Sequence, residues 1–417
     1  MSAPFVPDDI ITEILSFLSV KSLLRFKCVS KSWNSLISDP NFVKFHLNKS
    51  KSHNPHFTLI SHHTKLIRGC GSDNENEVVD LSIIPYPISS FLDNPSFTLF
   101  ADHYYLLAEK DCTYIVGSCN GLICLAGYRF LPAMNYPYSY EYWLRLWNPA
   151  TREISDKFGC FTDFRDFNFH FGCDNSTGTF KVVASRYIGD MRTSDMRVLS
   201  FGDSVWRNIE SFPVVPLHVD RWAHGHNAVF FNGTLNWLAI HNYTQETWFS
   251  RLKYLTVEQL IIVSLDLGTE TYNMYKLPLG FDKVPPSEPT FGVLGDCLCF
   301  NYYSYKEDFI IWQMKKFGDE ESWIQFLKIS FHELDYVFSE DTPKTCFYIV
   351  PLFLSKDGDT LLLHCNGEEQ SILYNWRDRR VKKSGVIVHK TVIDDETYNF
   401  LSWDFAYSFF ESLISIC

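Results

Sequence analysis

Along the first fifty residues the apolar positions follow a helical period. Ile10, Ile11, Ile14, Leu15 and Leu18 recur at the spacing of one helix face, with Pro7 ahead of them and Asp8 and Asp9 at the amide-exposing start. Ser19 can cap a second helix whose apolar residues are Leu23, Leu24, Phe26 and Cys28, leaving Lys21, Arg25 and Lys27 to water. Ser30 can cap a third, with Trp33, Leu36 and Ile37 inward, and Asp39-Pro40 opens a fourth through Phe42, Val43, Phe45 and Leu47. A segment of under about fifty residues buries too little surface to offset its chain entropy. Its large apolar side chains therefore call for cover, from a partner protein or from the rest of the chain.

Past a polar connector at 48–56 the helical period gives way to short apolar runs separated by turns. A loose unit recurs, built from a turn glycine between two runs and then a second pair of runs holding Trp or Tyr. Its clearest copy is Gly117-Ser-Cys-Asn-Gly121 with Leu122–Leu125, followed by Leu144-Arg-Leu-Trp-Asn-Pro-Ala-Thr-Arg-Glu153. With Gly121, Gly172, Gly233, Gly295 and Gly358 as registration marks, the steps are 51, 61, 62 and 63 residues. A four-stranded unit of this length cannot bury both faces alone, so radial repetition is the economical architecture. Five clear units and a degenerate first one predict an all-β propeller of about six blades. A strand within 399–414 would close the ring.

The run from Val6 to Phe42 closely resembles the plant F-box motif, through Ile-Leu at 14–15, Val-Lys-Ser-Leu at 20–23, Arg-Phe at 25–26, Cys-Val at 28–29, Lys-Ser-Trp at 31–33, Leu-Ile at 36–37 and Asp-Pro at 39–40. It departs at Val6, where leucine is usual, and at Ser19, where proline is common. The resemblance implies docking on a Skp-family adaptor and, through it, a cullin. By position, Pro7, Ile10, Ile11, Ile14, Leu15, Leu18, Leu23, Leu24, Cys28, Val29 and Trp33 would form or support that surface. The alternative is a helical cap packed on its own chain.

Residues from about 100 to 415 resemble the F-box-associated, kelch-like interaction domain of plant proteins. The likeness rests on Ser-x-Asn-Gly-Leu at 118–122, Leu-Trp-Asn-Pro-Ala-Thr-Arg at 146–152, Phe-Gly-Cys-Asp at 171–174, Phe-Lys-Val-Val at 180–183, Asn-Gly-Thr-Leu-Asn-Trp-Leu at 232–238 and the closing Glu-Ser-Leu at 411–413. A clean kelch double glycine is lacking. The expected organisation is an F-box domain at 1–47, a linker at 48–56 and a kelch-like β-propeller at 57–417.

Charge and composition narrow the function. Residues 1–50 hold six Lys/Arg against four Asp/Glu, leaving 31 against 45 for the remainder, a formal −14 of the chain's −12. An acidic large domain disfavours wholesale binding to nucleic acid or to an anionic membrane. No stretch approaches the roughly eighteen apolar residues of a membrane span, and none reads as a signal peptide. The twelve cysteines are scattered, several within apolar strand patterns, as expected for reduced thiols in a cytoplasmic or nuclear protein.

Catalytic and metal constellations are weak. Cys119 stands at the centre of a small-residue-flanked pentapeptide, but a nucleophile elbow needs a helix next, and Leu122–Leu125 continues as a strand. A tight turn at Asn120-Gly121 explains the motif better. His224 and His226 could face one way in an extended segment, with His218 or Asp220 beside them, yet no fixed third ligand follows. No cofactor, metal or enzymatic activity is expected.

The two resemblances imply a substrate-recognition subunit of a Skp-cullin-F-box ubiquitin ligase, its propeller binding a target protein for degradation. Exposed Tyr and Trp are preferred interface anchors, which singles out Tyr136, Tyr138, Tyr140, Tyr142 and Trp143 on one long insertion, and Tyr243 and Trp248 on another. Their packing on the chain's own blades is the competing expectation. A non-degradative adaptor-bound scaffold, or a propeller lectin or hydrolase, are the rival functions.

Overall fold

In the computed structural model, the described residues are 7–53, 57–68, 76–88, 92, 97–99, 105–131, 139–164, 167–188, 193–217, 228–242, 255–280, 283–285, 288–304, 308–334, 349–365, 371–383, 386–388 and 397–416. Four helices come first: α1 (Asp8–Ser16), α2 (Val20–Lys27), α3 (Lys31–Ser38) and α4 (Pro40–His53). The expected caps form. The Ser19 hydroxyl accepts from the Ser22 amide at 3.4 Å, Ser30 from Trp33 at 3.2 Å, and the Asp39 carboxylate from Asn41 and Phe42 at 2.8 and 3.2 Å. The polar stretch expected as a linker is, through His53, the last turns of α4. Its polar groups have protein partners there, with Lys49 on Glu13 at 2.8 Å and Lys51 on the Asn120 side chain at 2.5 Å.

Strands take over at residue 57 and form antiparallel sheets that succeed one another along the chain. The first contains β1 (Phe57–Arg68), β2 (Asn76–Pro87) and β4 (Tyr105–Leu106), with β3 (Phe97–Leu99) between them in sequence but outside that sheet. The second is β5 (Tyr114–Cys119), β6 (Leu122–Leu131), β7 (Ser139–Asn148) and β8 (Glu153–Ile154), with β9 (Phe158–Asp163) also on the β7 edge. The third runs β10 (Asn168–Cys173), β11 (Phe180–Ile188), β12 (Thr193–Ser200), β13 (Arg207–Asn208). In the fourth, β14 (Val215–Pro216) and β15 (Val229–Phe231) share one edge of β16 (Thr234–Ile240), followed by β17 (Leu260–Asp266) and β18 (Tyr272–Lys276). The fifth is β19 (Thr290–Leu294), β20 (Cys297–Tyr303), β21 (Asp308–Met314), β22 (Trp323–Ser330) and the sixth β23 (Ile349–Leu354), β24 (Thr360–Cys365), β25 (Ser371–Asn375), β26 (Arg380–Lys383). A short β27 (Val386–Val388) pairs in parallel with β3.

Closure comes from β28 (Thr397–Phe410), which pairs antiparallel with β1 from Phe57↔Phe410 to Ile67↔Thr397. The carboxy-terminal strand thus completes the amino-terminal blade, as the reading of 399–414 expects. β28 neighbours β5, β5 neighbours β10, β10 meets the fourth sheet at β16, β15 neighbours β19, β19 neighbours β23, and β23 returns to β28. Leading strands in such a cycle make a propeller of six blades among the described residues.

Period-two alternation builds the cores between blades. On β6, Leu122, Cys124 and Ala126 face the third blade with Phe169 and Val182, whereas Ile123 and Leu125 face the first blade with Ile83 and Phe409. Equivalent apolar layers join blades three to four, four to five, and five to six. One registration mark was misplaced. Gly172 lies within β10, where a side chain would overlap Phe230 and Leu267 of the next blade, and the corresponding turn glycine is Gly178. With Gly178 the steps from 121 to 178 and from 178 to 233 become 57 and 55 residues.

Candidate adaptor and target interfaces

The residues expected to meet an adaptor divide into two sets. Leu15 and Leu23 are fully buried with Val20, Ile37 and Phe42, and Ile11, Leu18, Leu24 and Trp33 are half-buried around them. These side chains hold the helices together, and His46 on α4 ties the α1–α2 turn by a 2.9 Å hydrogen bond to the Leu18 carbonyl oxygen. Pro7, Ile10, Ile14, Cys28 and Val29 stay exposed. Ile10, Ile14 and Phe17 are 51, 57 and 46% exposed and recur at i, i+4 and i+7, one stripe along α1. Val29, just past α2, is 64% exposed. The residue reading missed Phe17, although its spacing from Ile10 and Ile14 marks it as a member of the same stripe.

The helices rest on the propeller through its last residues. The Glu411 carboxylate accepts from the Val20 amide at the start of α2 at 3.2 Å, and Leu413 is buried among Leu15, Val20 and Leu23. Ala150, in the β7–β8 turn, packs against the same cluster. Asn148, fully buried, donates from Nδ2 to the carbonyl oxygens of Ser412 and Ile414, and the Ile416 amide donates to Glu153 at 3.3 Å. Gly121 at φ +81° lets the Asn120-Gly121 turn approach the tail, since a Cβ there would overlap Ser412 and the Phe410 carbonyl. The Ser-x-Asn-Gly, Trp-Asn-Pro-Ala-Thr-Arg and Glu-Ser-Leu phrases therefore meet at one place, beneath the helices.

Antiparallel alternation then sorts the connections. Turns between first and second strands, and between third and fourth, share the helix-bearing end, where Asn120 and Ala150 lie. Several are two residues long, at 120–121, 232–233 and 295–296, with positive φ at both positions as tight hairpins require. Second strands end and third strands begin at the other end, as at Arg68 and Asn76, Leu131 and Ser139, and Ile240 and Leu260. Tyr136, Tyr138, Tyr243 and Trp248 lie outside the described residues.

Two other target residues need correction. Tyr142 and Trp143 are on β7, not on a loop, and both are buried. Strand alternation turns Tyr142 into the core between blades two and three, stacked on Phe161 at 5.2 Å between ring centroids. Trp143 faces the opposite side, where Nε1 donates to the Asp111 carbonyl oxygen at 2.6 Å and Lys157 sits 3.8 Å over the ring. Tyr140 is half-buried at the far end of β7, in edge contact with the exposed Phe130 at 5.8 Å and the exposed Tyr128 at 6.1 Å. An aromatic ladder thus climbs from the core to the rim. Beside it, Arg186 bridges Asp163 and Asp195 at 2.6 and 2.8 Å and lies over the Phe167 ring at 4.7 Å.

Cys119 ends β5 and is buried, and burial pushes its thiol well above the usual range, so it holds its proton and is no nucleophile at neutral pH. His218, Asp220, His224 and His226 lie outside the described residues. Among the described residues there is no cluster of three or more potential metal ligands, and no helix is long and apolar enough to cross a membrane.

Comparison with known proteins agrees with this division. Residues 6–45 match the F-box domain, and residues 91–416 match the F-box associated beta propeller domain. An F-box/kelch-repeat protein of Arabidopsis thaliana is 28% identical over 365 residues, covering 86% of this chain and 85% of the relative. An F-box/LRR-repeat/kelch-repeat protein of the same plant is 27% identical over 439 residues, covering 99% and 97%. The F-box protein CPR1, also of Arabidopsis thaliana, is 24% identical over 405 residues, covering 92% and 84%. With its four amino-terminal helices and its closed ring of antiparallel blades, the chain belongs to the F-box proteins that carry an F-box-associated β-propeller.

Proposed function

We propose that this chain is the target-recognition subunit of a Skp-cullin-F-box ubiquitin ligase. The observation that carries the reading is the exposed apolar pair Ile10 and Ile14 on α1, with Val29 exposed just past α2, on a helical unit whose own core is already filled. Large apolar side chains grouped on a small surface favour a protein partner, and an F-box domain implies a Skp-type adaptor.

In this reading the helices dock on the adaptor, the adaptor links the chain to a cullin, and the far end of the propeller receives a target protein. Transfer of ubiquitin is the work of an enzyme elsewhere in the assembly. The chain contributes by raising the effective concentration of target lysines near it. Exposed Tyr128 and Phe130, with Tyr140 beside them, are the described aromatics best placed to contact a target, because they stand at the end away from the helices. The working division is an F-box helical unit, a propeller from 57, and α4 between them as a shared strut.

Full-length protein carrying Ile10→Asp and Ile14→Asp should keep its fold and lose the adaptor in a binding assay with a purified Skp-family protein. Undiminished binding would remove the basis of the proposal.

A further inference from the structure

The F-box match ends at residue 45, yet its core is completed by residues from the opposite end of the chain. Leu413 is buried in one apolar cluster with Leu15 of α1 and Val20 and Leu23 of α2, the two helices that carry the exposed stripe and lead to Val29. Glu411 supplies an acceptor to the Val20 amide and a negative charge at the start of α2, where unpaired N–H groups favour it. This tail does not position itself. It follows directly from β28, which is held along β1, and it is gripped by Asn148 and Glu153 of the second blade.

We infer that residues 411–416 are a working part of the adaptor-binding unit, so that the helices present the adaptor stripe correctly only when the propeller has closed. This rests on the ligase reading above. Glu411 and Leu413 are then positioning residues. They touch no adaptor, but they set α1 and α2 relative to each other and thereby the placement of Ile10, Ile14 and Phe17 against Val29. Adaptor recruitment would report that the target-binding domain is complete, and a chain shortened at its end would be kept out of the ligase.

The test uses full-length Leu413→Ala, Glu411→Ala and Glu270→Ala with a purified Skp-family adaptor, read by calorimetric affinity and by amide hydrogen exchange in α1 and α2. Glu270 clamps blades three and four, remote from the tail, and controls for general weakening of the propeller. The expected result is an adaptor affinity reduced about tenfold or more by Leu413→Ala, reduced several-fold by Glu411→Ala and unchanged by Glu270→Ala, with faster exchange in α1 and α2 for the first two only. Unchanged affinity and exchange in both tail variants, or an equal loss in Glu270→Ala, would overturn the inference. Should the wild-type chain not bind the adaptor at all, the ligase reading fails, and the exchange data alone then decide whether the tail orders the helices.

Discussion

Asn148 holds Ser412 by a 3.0 Å hydrogen bond from its side-chain amide to the Ser412 carbonyl oxygen, across 264 residues of sequence. The same Nδ2 donates to Ile414 at 2.9 Å, while Oδ1 accepts from the amides of Ala150 and Thr151 at 3.0 and 3.3 Å. One side chain thus shapes the β7–β8 turn and fastens the end of the chain onto it. Asn148→Ala strands buried backbone groups, each costing about 1–3 kcal/mol. We predict a loss of about 3 kcal/mol in urea denaturation. Asn148→Asp should cost at least as much, since it points a carboxylate at two carbonyl oxygens.

Glu270 joins the third and fourth blades. Its carboxylate accepts from Arg207 at 2.7 and 2.9 Å and from the buried Lys181 at 2.9 Å, and Lys181 also donates to the Leu267 carbonyl oxygen at 2.5 Å. Lys181 is buried and Glu270 half-buried, and removing the carboxylate leaves the Lys181 charge without its counter-ion, so Glu270→Ala should cost about 1–3 kcal/mol. The Arg207 hydrogen bond, and Lys181 with it, hold the Glu270 carboxyl below its usual pKa. That contribution is complete above the ordinary carboxylate range and is lost as pH falls from there through the lowered folded value, which a denaturation series falling from pH 7 on wild type and Glu270→Ala would show.

His170 gives a second pH signal of known sign. Buried beside Ser185 and edge-on to Trp237, it is held neutral by desolvation, with its pKa lowered to about 3. The unfolded chain takes up a proton on this residue below about pH 6.5 and the folded chain does not, so stability falls as pH drops from there toward 3. At pH 5 the loss from this residue is about 2 kcal/mol. His170→Gln should flatten the pH dependence of urea midpoints between pH 7 and 5 relative to wild type. An identical slope would show that the imidazole is protonated in the fold.

Cysteine labelling separates covered from open surface. Native protein treated with a thiol reagent and mapped by mass spectrometry should be modified at Cys28 and Cys160, which are exposed, and spared at Cys119, Cys124 and Cys299, which are buried. Addition of the adaptor should then protect Cys28 and leave Cys160 reactive. Modification of Cys119 in the folded protein would contradict the turn described around it.

Much of this architecture is legible in local sequence because local physics specifies it. Ser19, Ser30 and Asp39 cap their helices as short polar residues ahead of apolar runs do, and Asn120-Gly121 and Asn232-Gly233 adopt the positive φ their hairpins need. What depends on distant partners is not legible. Leu15 and Leu23 carry the same pattern as Ile10 and Ile14, and it is packing with Val20, Ile37, Phe42 and Leu413 that makes the first pair core while the second stays at the surface. Tyr142 and Trp143 look like anchors in an aromatic-rich run, but strand alternation and the neighbouring blade bury both. Gly172 resembles a turn glycine until Phe230 of the next blade is seen to need its space.

That difference between the two pairs gives a direct contrast. Leu23→Ala removes a fully buried side chain and should lower stability by about 2–5 kcal/mol. Ile14→Ala removes a mostly exposed one, and its effect on stability should stay within about 0.5 kcal/mol.

The most direct measurement is the affinity of the full-length chain for a purified Skp-family adaptor, compared with that of the Ile10→Asp, Ile14→Asp variant. Fully burying one such side chain contributes about 1.5–3 kcal/mol, so losing two, with a charge left in place of each, should weaken binding about a hundredfold or more while the thermal midpoint stays near that of wild type. Equal affinity for both proteins, or no binding by the wild type, would contradict the account.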